Sequence, residues 1–171
     1  MVRIWQYARA NATLCASVLL LVAIVGGIAY QRSDRVQIRR RFNRLAVLAG
    51  RGPSDSMIAM AARSEQLSSL FADRTTLAVP ITGLTGEYSR REIVQSAIRV
   101  KSLAESIQLD FHDLRIRDIS GDNAYCTVTG RLRAVISGER INEVRELDCH
   151  LVREDGRWVF KSFSVAEVLQ R

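Results

Sequence analysis

Lysine is almost missing from this chain. Of 25 basic residues only Lys101 and Lys161 are lysine, so the formal net charge of +7 is carried by arginine, and much of it falls between Arg32 and Arg51. Aromatic residues are scarce there too: Phe42 is the only one in that block. Nucleic-acid surfaces interleave aromatic rings with basic side chains so that bases can stack, and without them the block does not read as one. Cysteine is limited to Cys15, Cys126 and Cys149, with no C-x-x-C pair. The adjacent Cys149 and His150 point to opposite faces if they lie on a strand, so no metal site is expected, and nothing implies a cofactor.

Charge of either sign is absent from Ala12 to Tyr30. At roughly 1.5 Å per helical residue this run spans about 28 Å, close to the hydrocarbon thickness of a bilayer. It predicts one transmembrane helix over 12–30 after a tail of 1–11, hence a single-pass membrane protein of bacterial inner-membrane type. A cleaved signal peptide fits less well, because Tyr30 stands where a small residue is needed. Cys15 lies too early in the run to be a lipid-modified cysteine. Arg32, Arg35, Arg39, Arg40, Arg41 and Arg44 follow the run while only Arg3 and Arg9 precede it. The positive-inside bias would put the domain in the cytoplasm. Equally, these arginines fit the exposed sides of an amphipathic helix whose apolar stripe is Val36, Phe42, Leu45 and Leu48, so both sides of the membrane stay open. Arg39, Arg40 and Arg41 are candidate contacts for anionic lipid headgroups, at about 1 kcal/mol per basic residue near a membrane surface.

Beyond the span the pattern is α+β: helices first, then a run of strands. Residues 31–52 read as a basic juxtamembrane helix and linker, the domain's first helix, capped at Ser33 or Asp34 and broken by Gly50, Gly52 and Pro53. Residues 53–171 form the rest of the domain. A second helix starts at Ser54 or Asp55, with Met57, Ile58, Met60, Leu67, Leu70 and Phe71 at helical spacing. A short strand covers Thr75–Val79, and Gly83 and Gly86 mark an irregular connection. Ser89-Arg90-Arg91-Glu92 has the form of a capping box and predicts a helix over 90–105. Four strand-like runs follow, Leu109–Ile119, Asn123–Ile136, Ile141–Val152 and Arg157–Val168, separated by Ser120-Gly121-Asp122, Ser137-Gly138 and Glu154-Asp155-Gly156. Ala124, Cys126, Val128, Leu132, Leu147, Cys149 and Leu151 alternate onto one face. Tyr125, Thr127, Thr129, Arg131, Glu146, Asp148 and His150 face away from it. A two-residue turn at Ser137-Gly138 would set Cys126 opposite Cys149, as two buried thiols.

Several of these features together resemble the nuclear transport factor 2-like superfamily, also called SnoaL-like, a cone of curved antiparallel sheet wrapped around helices. Phe71-Ala72-Asp73 leads into a short strand, then Pro80, then Gly86 ahead of Ser89-Arg90-Arg91-Glu92-Ile93. The ending Asp155-Gly156-Arg157-Trp158-Val159-Phe160 is similar to the superfamily's last strand. The resemblance implies a pocket inside the cone, with Phe71, Val79, Leu103, Trp158 and Phe160 lining or plugging it. In ketosteroid isomerases of this superfamily an Asp base stands directly before the Pro, where this chain has Val79. The Tyr that donates to the oxyanion from the first helix has no counterpart between Ser33 and Asp73, so that isomerase chemistry is excluded.

His112 and Asp110, two residues apart on one strand, are the remaining candidate catalytic pair. Phe111 and Leu114 compete for the same buried face, and a bulge between them would leave His112 at the sheet's edge or surface. These observations favour a membrane-tethered, non-catalytic binding or assembly domain. Its polar sheet face, Tyr125 through His150, would meet a second copy to form a homodimer, as proteins of the superfamily often do. Two alternatives stand beside it: a lyase- or isomerase-type enzyme acting on a small apolar ligand in the cone pocket, and a subunit of a membrane-bound secretion or transport assembly.

Overall fold

The computed structural model describes residues 33–52, 56–79 and 84–166. The 12–30 run lies outside them, as do Ser54, Asp55 and Pro80; among the described residues no helix is long and apolar enough to cross a membrane. The chain divides into two compact units after Gln37. Of the first only 33–37, the opening of one helix, is described. The second, 38–171, carries the sheet and the core.

Helix α1 (Asp34–Ala49) buries Ile38, Phe42, Leu45 and Leu48, one apolar stripe at helical spacing. It stops at glycine as expected. Gly50 donates back to the Ala46 carbonyl at 3.1 Å, and Arg51 exchanges backbone hydrogen bonds of 2.8 and 2.9 Å with Ile107. Helix α2 (Met57–Ser68) is capped by Ser56, whose hydroxyl accepts from the Ala59 N–H at 3.2 Å. Strands β1 (Phe71–Val79) and β2 (Leu84–Ser89) then lead into α3 (Arg90–Leu103). The capping box is formed: the Ser89 hydroxyl accepts from the Glu92 N–H at 3.3 Å, and the Glu92 carboxylate accepts from the Ser89 N–H at 2.7 Å. That backbone bond first, and the Ser89 hydroxyl second, hold the Glu92 carboxyl below its usual range.

β3 (Ala104–Ser120), β4 (Asn123–Ile136), β5 (Glu139–Glu154) and β6 (Arg157–Val165) complete a six-stranded sheet of order β2-β1-β6-β5-β4-β3. The sheet is mixed, which corrects the expected all-antiparallel cone. β6 runs parallel to β1, while every other neighbouring pair is antiparallel. Short turns force antiparallel neighbours along β3 to β6, but β1 and β6 come from opposite ends of the domain and no turn dictates their direction. The irregular connection around Gly86 is instead strand β2, and β3 begins at Ala104 rather than Leu109. Ala104 takes extended dihedrals, φ −88° and ψ 140°, directly at the end of α3.

The two-residue turn at Ser137-Gly138 has positive φ at both residues, 52° and 80°, the form that matches the twist of a hairpin. Cys126 consequently lies opposite Cys149, both buried and unbridged. Burial pushes the Cys126 thiol up to about 11, and burial, with Cys126 and Asp148 beside it, pushes Cys149 higher still. Only the thiolate reacts. In the native chain at pH 8, Cys126 and Cys149 should therefore resist iodoacetamide, and both should be alkylated in denaturant; peptide mass spectrometry reads the difference.

Candidate active site

Helices and sheet line a half-open cavity of about 400 Å³, within the ordinary range for small-molecule sites. α3 supplies one wall through Ile93, Ser96, Ala97, Val100 and Lys101, spaced so that they share a helix face. Opposite stand Ile107, Leu109 and Phe111 of β3, Leu147 of β5 and Phe163 of β6. Leu45 and Ala49 of α1, Leu67 of α2, Phe71 and Leu77 of β1, and Tyr88 of β2 close it. Gly130 on β4 makes room behind this wall: a Cβ there would come within 3.1 Å of Leu147 and 3.7 Å of Phe111, both cavity residues.

Three residues bring polar side chains to this apolar lining: Tyr88 and Ser96 with hydroxyls, and Lys101 with an amine. Lys101 is only 2% exposed. Its ammonium donates to the Leu48 carbonyl at 2.5 Å, which ties it to the C-terminal turn of α1, and its own carbonyl accepts from the Arg51 guanidinium. A buried, fixed amine beside an apolar cavity can transfer a proton, stabilise developing negative charge or attack a carbonyl carbon. No sequence motif marks Lys101 as a functional residue. The available signal was its position, eight residues after Ile93 and four after Ala97, on the helix face that carries the apolar residues.

The expected catalytic pair is placed elsewhere. His112 is exposed and sits across from Thr129 on the sheet's outer surface. The Asp110 carboxylate accepts from Arg133 at 2.9 Å, and this bond holds it below the usual carboxylate range. Neither lines the cavity, because Leu109 and Phe111 take the inward positions between them. The register breaks between His112 and Arg115, where Asp113 adopts φ 52°, and beyond it Leu114 packs on the core. Of the expected pocket residues Phe71 borders the cavity, Trp158 and Phe160 are fully buried in the core beside it, and Leu103 is 63% exposed. The side chain of Val79 lies outside the described residues. The outer sheet face carries Tyr125 stacked on His150, with ring centroids 4.5 Å apart. Next to them Asp148 accepts from Arg117 and from Thr127. Thr129 lies opposite Glu146 and Arg131 opposite Val144. Among the described residues no cluster of acidic, histidine or cysteine side chains could hold a metal ion.

No protein-family model and no curated protein matches the chain by sequence. Solved structures do match its fold. A hexachlorocyclohexane dehydrochlorinase (LinA, type 2) is similar with a TM-score of 0.62 at 14% identity, over 78% of this chain and 84% of that one. A proposed dehydratase of the NTF2-like family from Streptomyces avermitilis gives 0.59 at 18% identity, over 80% and 98%. A proposed aromatic ring hydroxylase from Novosphingobium aromaticivorans gives 0.65 at 12% identity, over 80% and 90%. The fold is thus the nuclear transport factor 2-like one, helices packed on a curved mixed sheet.

These neighbours also overturn the expectation that the domain is more simply non-catalytic, since each of the three is described as an enzyme. The missing Asp and Tyr exclude one mechanism. They do not speak to the other chemistries that one fold can host.

Proposed function

We propose that this domain is a lyase- or isomerase-type enzyme acting on a small apolar ligand in the cavity, held at a membrane by the 12–30 segment. The observation that carries the reading is the buried Lys101 beside a mostly apolar cavity. An elimination needs a group that moves a proton and a surrounding that excludes water. Lys101 would be the proton-transfer group, with the Tyr88 and Ser96 hydroxyls orienting the ligand. A dehydrochlorinase and a proposed dehydratase among the fold neighbours support elimination as the reaction class: the neutral form of the Lys101 amine takes the C–H proton, a neighbouring halide or hydroxide leaves with its bonding pair as the double bond forms, and the ammonium then returns the proton to the hydroxide or to solvent.

The test uses the full chain in carbonate-washed membranes, incubated with cyclic compounds that carry a hydroxyl or a halide next to an acidic C–H. Mass spectrometry should detect the alkene product together with released water or halide. Ala97→Phe fills the cavity from α3 and should abolish turnover while the chain stays in the washed pellet. Equal turnover by wild type and Ala97→Phe would remove the cavity from the chemistry, and release of the chain by carbonate would remove the anchor.

A further inference from the structure

The two neighbours of β5 cover it unequally. β4 pairs with it from Glu139 to Val152, but β6 lies alongside only Leu147–Glu154. Just after β6, the Ala166 N–H donates to the Glu146 carbonyl at 2.9 Å. Among the described residues no strand continues past that point, so Glu139–Arg145 is an open sheet edge. In an antiparallel sheet the N–H and C=O of one residue point to the same neighbour, and those of the next residue point the other way. The Glu146 carbonyl points to the β6 side, so Arg140, Asn142 and Val144 aim their main-chain groups at the open side. The Val144 carbonyl accepts there from the Arg145 guanidinium at 3.0 Å, a side chain in place of a strand.

An open edge is a template for another chain, and charge along it turns most partners away. This one carries Glu139, Arg140, Glu143 and Arg145. Those charges suit one partner, the same edge reversed. A second copy related by a two-fold axis through Asn142 runs antiparallel. It sets Glu139 opposite Arg145 of the second copy, and Arg145 opposite Glu139 of the second copy. The open main-chain groups then meet each other, Asn142 with Asn142 and Arg140 with Val144. Opposite charges directly across a strand pair attract, and like charges there repel. Moving the axis by one residue brings Glu139 against Glu143 in one direction and Glu143 against its own copy in the other, so charge fixes the register. Arg145 would exchange its exposed pairing with Glu143, at 2.9 Å on the same strand, for one across the axis. Val144 is apolar and 43% exposed, and the aliphatic stem of Arg140 from the second copy would cover it.

We propose that the Glu139–Arg145 edge of β5 joins two copies of this chain, their sheets running on into one another about Asn142. The surface is separate from the outer sheet face and from the cavity, and it stands whether or not the cavity is catalytic.

The full chain carrying Cys15→Ser and Asn142→Cys is placed in uncharged detergent micelles and treated with a short bis-maleimide, Cys126 and Cys149 being buried. A dimer band should form, and the same chain with Glu65→Cys on the exposed side of α2 in place of Asn142→Cys should give none. Adding Arg145→Glu should weaken dimerisation by about tenfold, because symmetry counts each change twice, and the exchanged pair Glu139→Arg with Arg145→Glu should restore it to within about twofold. Val144→Pro removes an N–H aimed at the second copy and not at β4, so it should abolish the band and leave the circular dichroism spectrum unchanged. Equal bands from Asn142→Cys and Glu65→Cys overturn the proposal, as does a failure of the exchanged pair to recover. A band that appears only when the chain is ended at Ala166 overturns it too, by giving the edge to residues 167–171 of the same copy. So does crosslinking through Tyr125→Cys on the outer sheet face with none through Asn142→Cys.

Discussion

Phe42→Ala is expected to lower the thermal midpoint of the domain by about 10–15 °C. The ring is 1% exposed and meets Phe111 and Phe160 edge-to-face, with centroids 5.3 and 5.0 Å apart. It therefore joins α1 to β3 and to β6, strands that lie three positions apart in the sheet order β6-β5-β4-β3. Truncating a buried phenylalanine typically costs about 3–5 kcal/mol, because the lost transfer energy is compounded by the void left behind. The aromatic pairings add about 0.5–1.5 kcal/mol each. For a domain of this size one kcal/mol moves the midpoint by roughly 3 °C. Phe42→Leu keeps most of the volume and should cost less than half as much. Circular dichroism melts of wild type and the two variants in one detergent check this. Equal midpoints for wild type and Phe42→Ala would mean that α1 is not packed on the sheet. Phe111 also lines the cavity, so the void should open towards the site as well.

What could be read in advance depended on whether local patterns decided the outcome. The Ser89 capping box and the hairpin that sets Cys126 opposite Cys149 are set by spacings of a few residues, and they are found where those spacings put them; the stripe of α1 holds at Phe42, Leu45 and Leu48, but its first buried residue is Ile38, four before Phe42, and Val36 is only half-buried. The break near Asp113 was legible for a related reason: Phe111 and Leu114 both belong inside, and only an extra residue between them reconciles two inward side chains three apart. That same bulge answers the question about His112, which goes outward. Strand β2 was illegible because Leu84–Ser89 contains neither a β-branched run nor clean alternation. It becomes a strand by pairing with β1, a tertiary effect. The parallel contact between β1 and β6 is non-local for the same reason.

The site itself was the least legible part. Histidine and paired carboxylates draw attention because their chemistry is familiar, yet His112 and Asp110 are on the outer surface. Leu103, which the resemblance places in the pocket, is the last residue of α3, directly before β3 begins, and it is exposed. Lys101, two residues earlier, goes inward. A lysine on an apolar helix face looks like a solvated residue that happens to fall there. Its ammonium reaches the carbonyl of Leu48, 53 positions away, a partner that no local pattern could announce.

That buried amine yields the largest expected effect on activity. On the proposed reading Lys101→Met should reduce turnover by about 10²–10⁴-fold, the usual contribution of a positioned proton-transfer group. Methionine is of similar length and apolar, so the cavity keeps its shape and ligand affinity should change little. The substitution also leaves the Leu48 carbonyl without its donor, at a cost of about 1–3 kcal/mol of stability, so lower activity alone would not separate chemistry from folding. Two readouts do. A proton-transfer role predicts a loss carried by kcat rather than KM, and the disappearance of one limb of the pH–rate profile, which reports an ionising group in the reacting complex. A structural role predicts a fall in active fraction with an unchanged profile shape. If the pH profile of Lys101→Met superimposes on that of wild type after scaling, Lys101 is a strut between α1 and α3, and the proton must be moved by one of the cavity hydroxyls or by water.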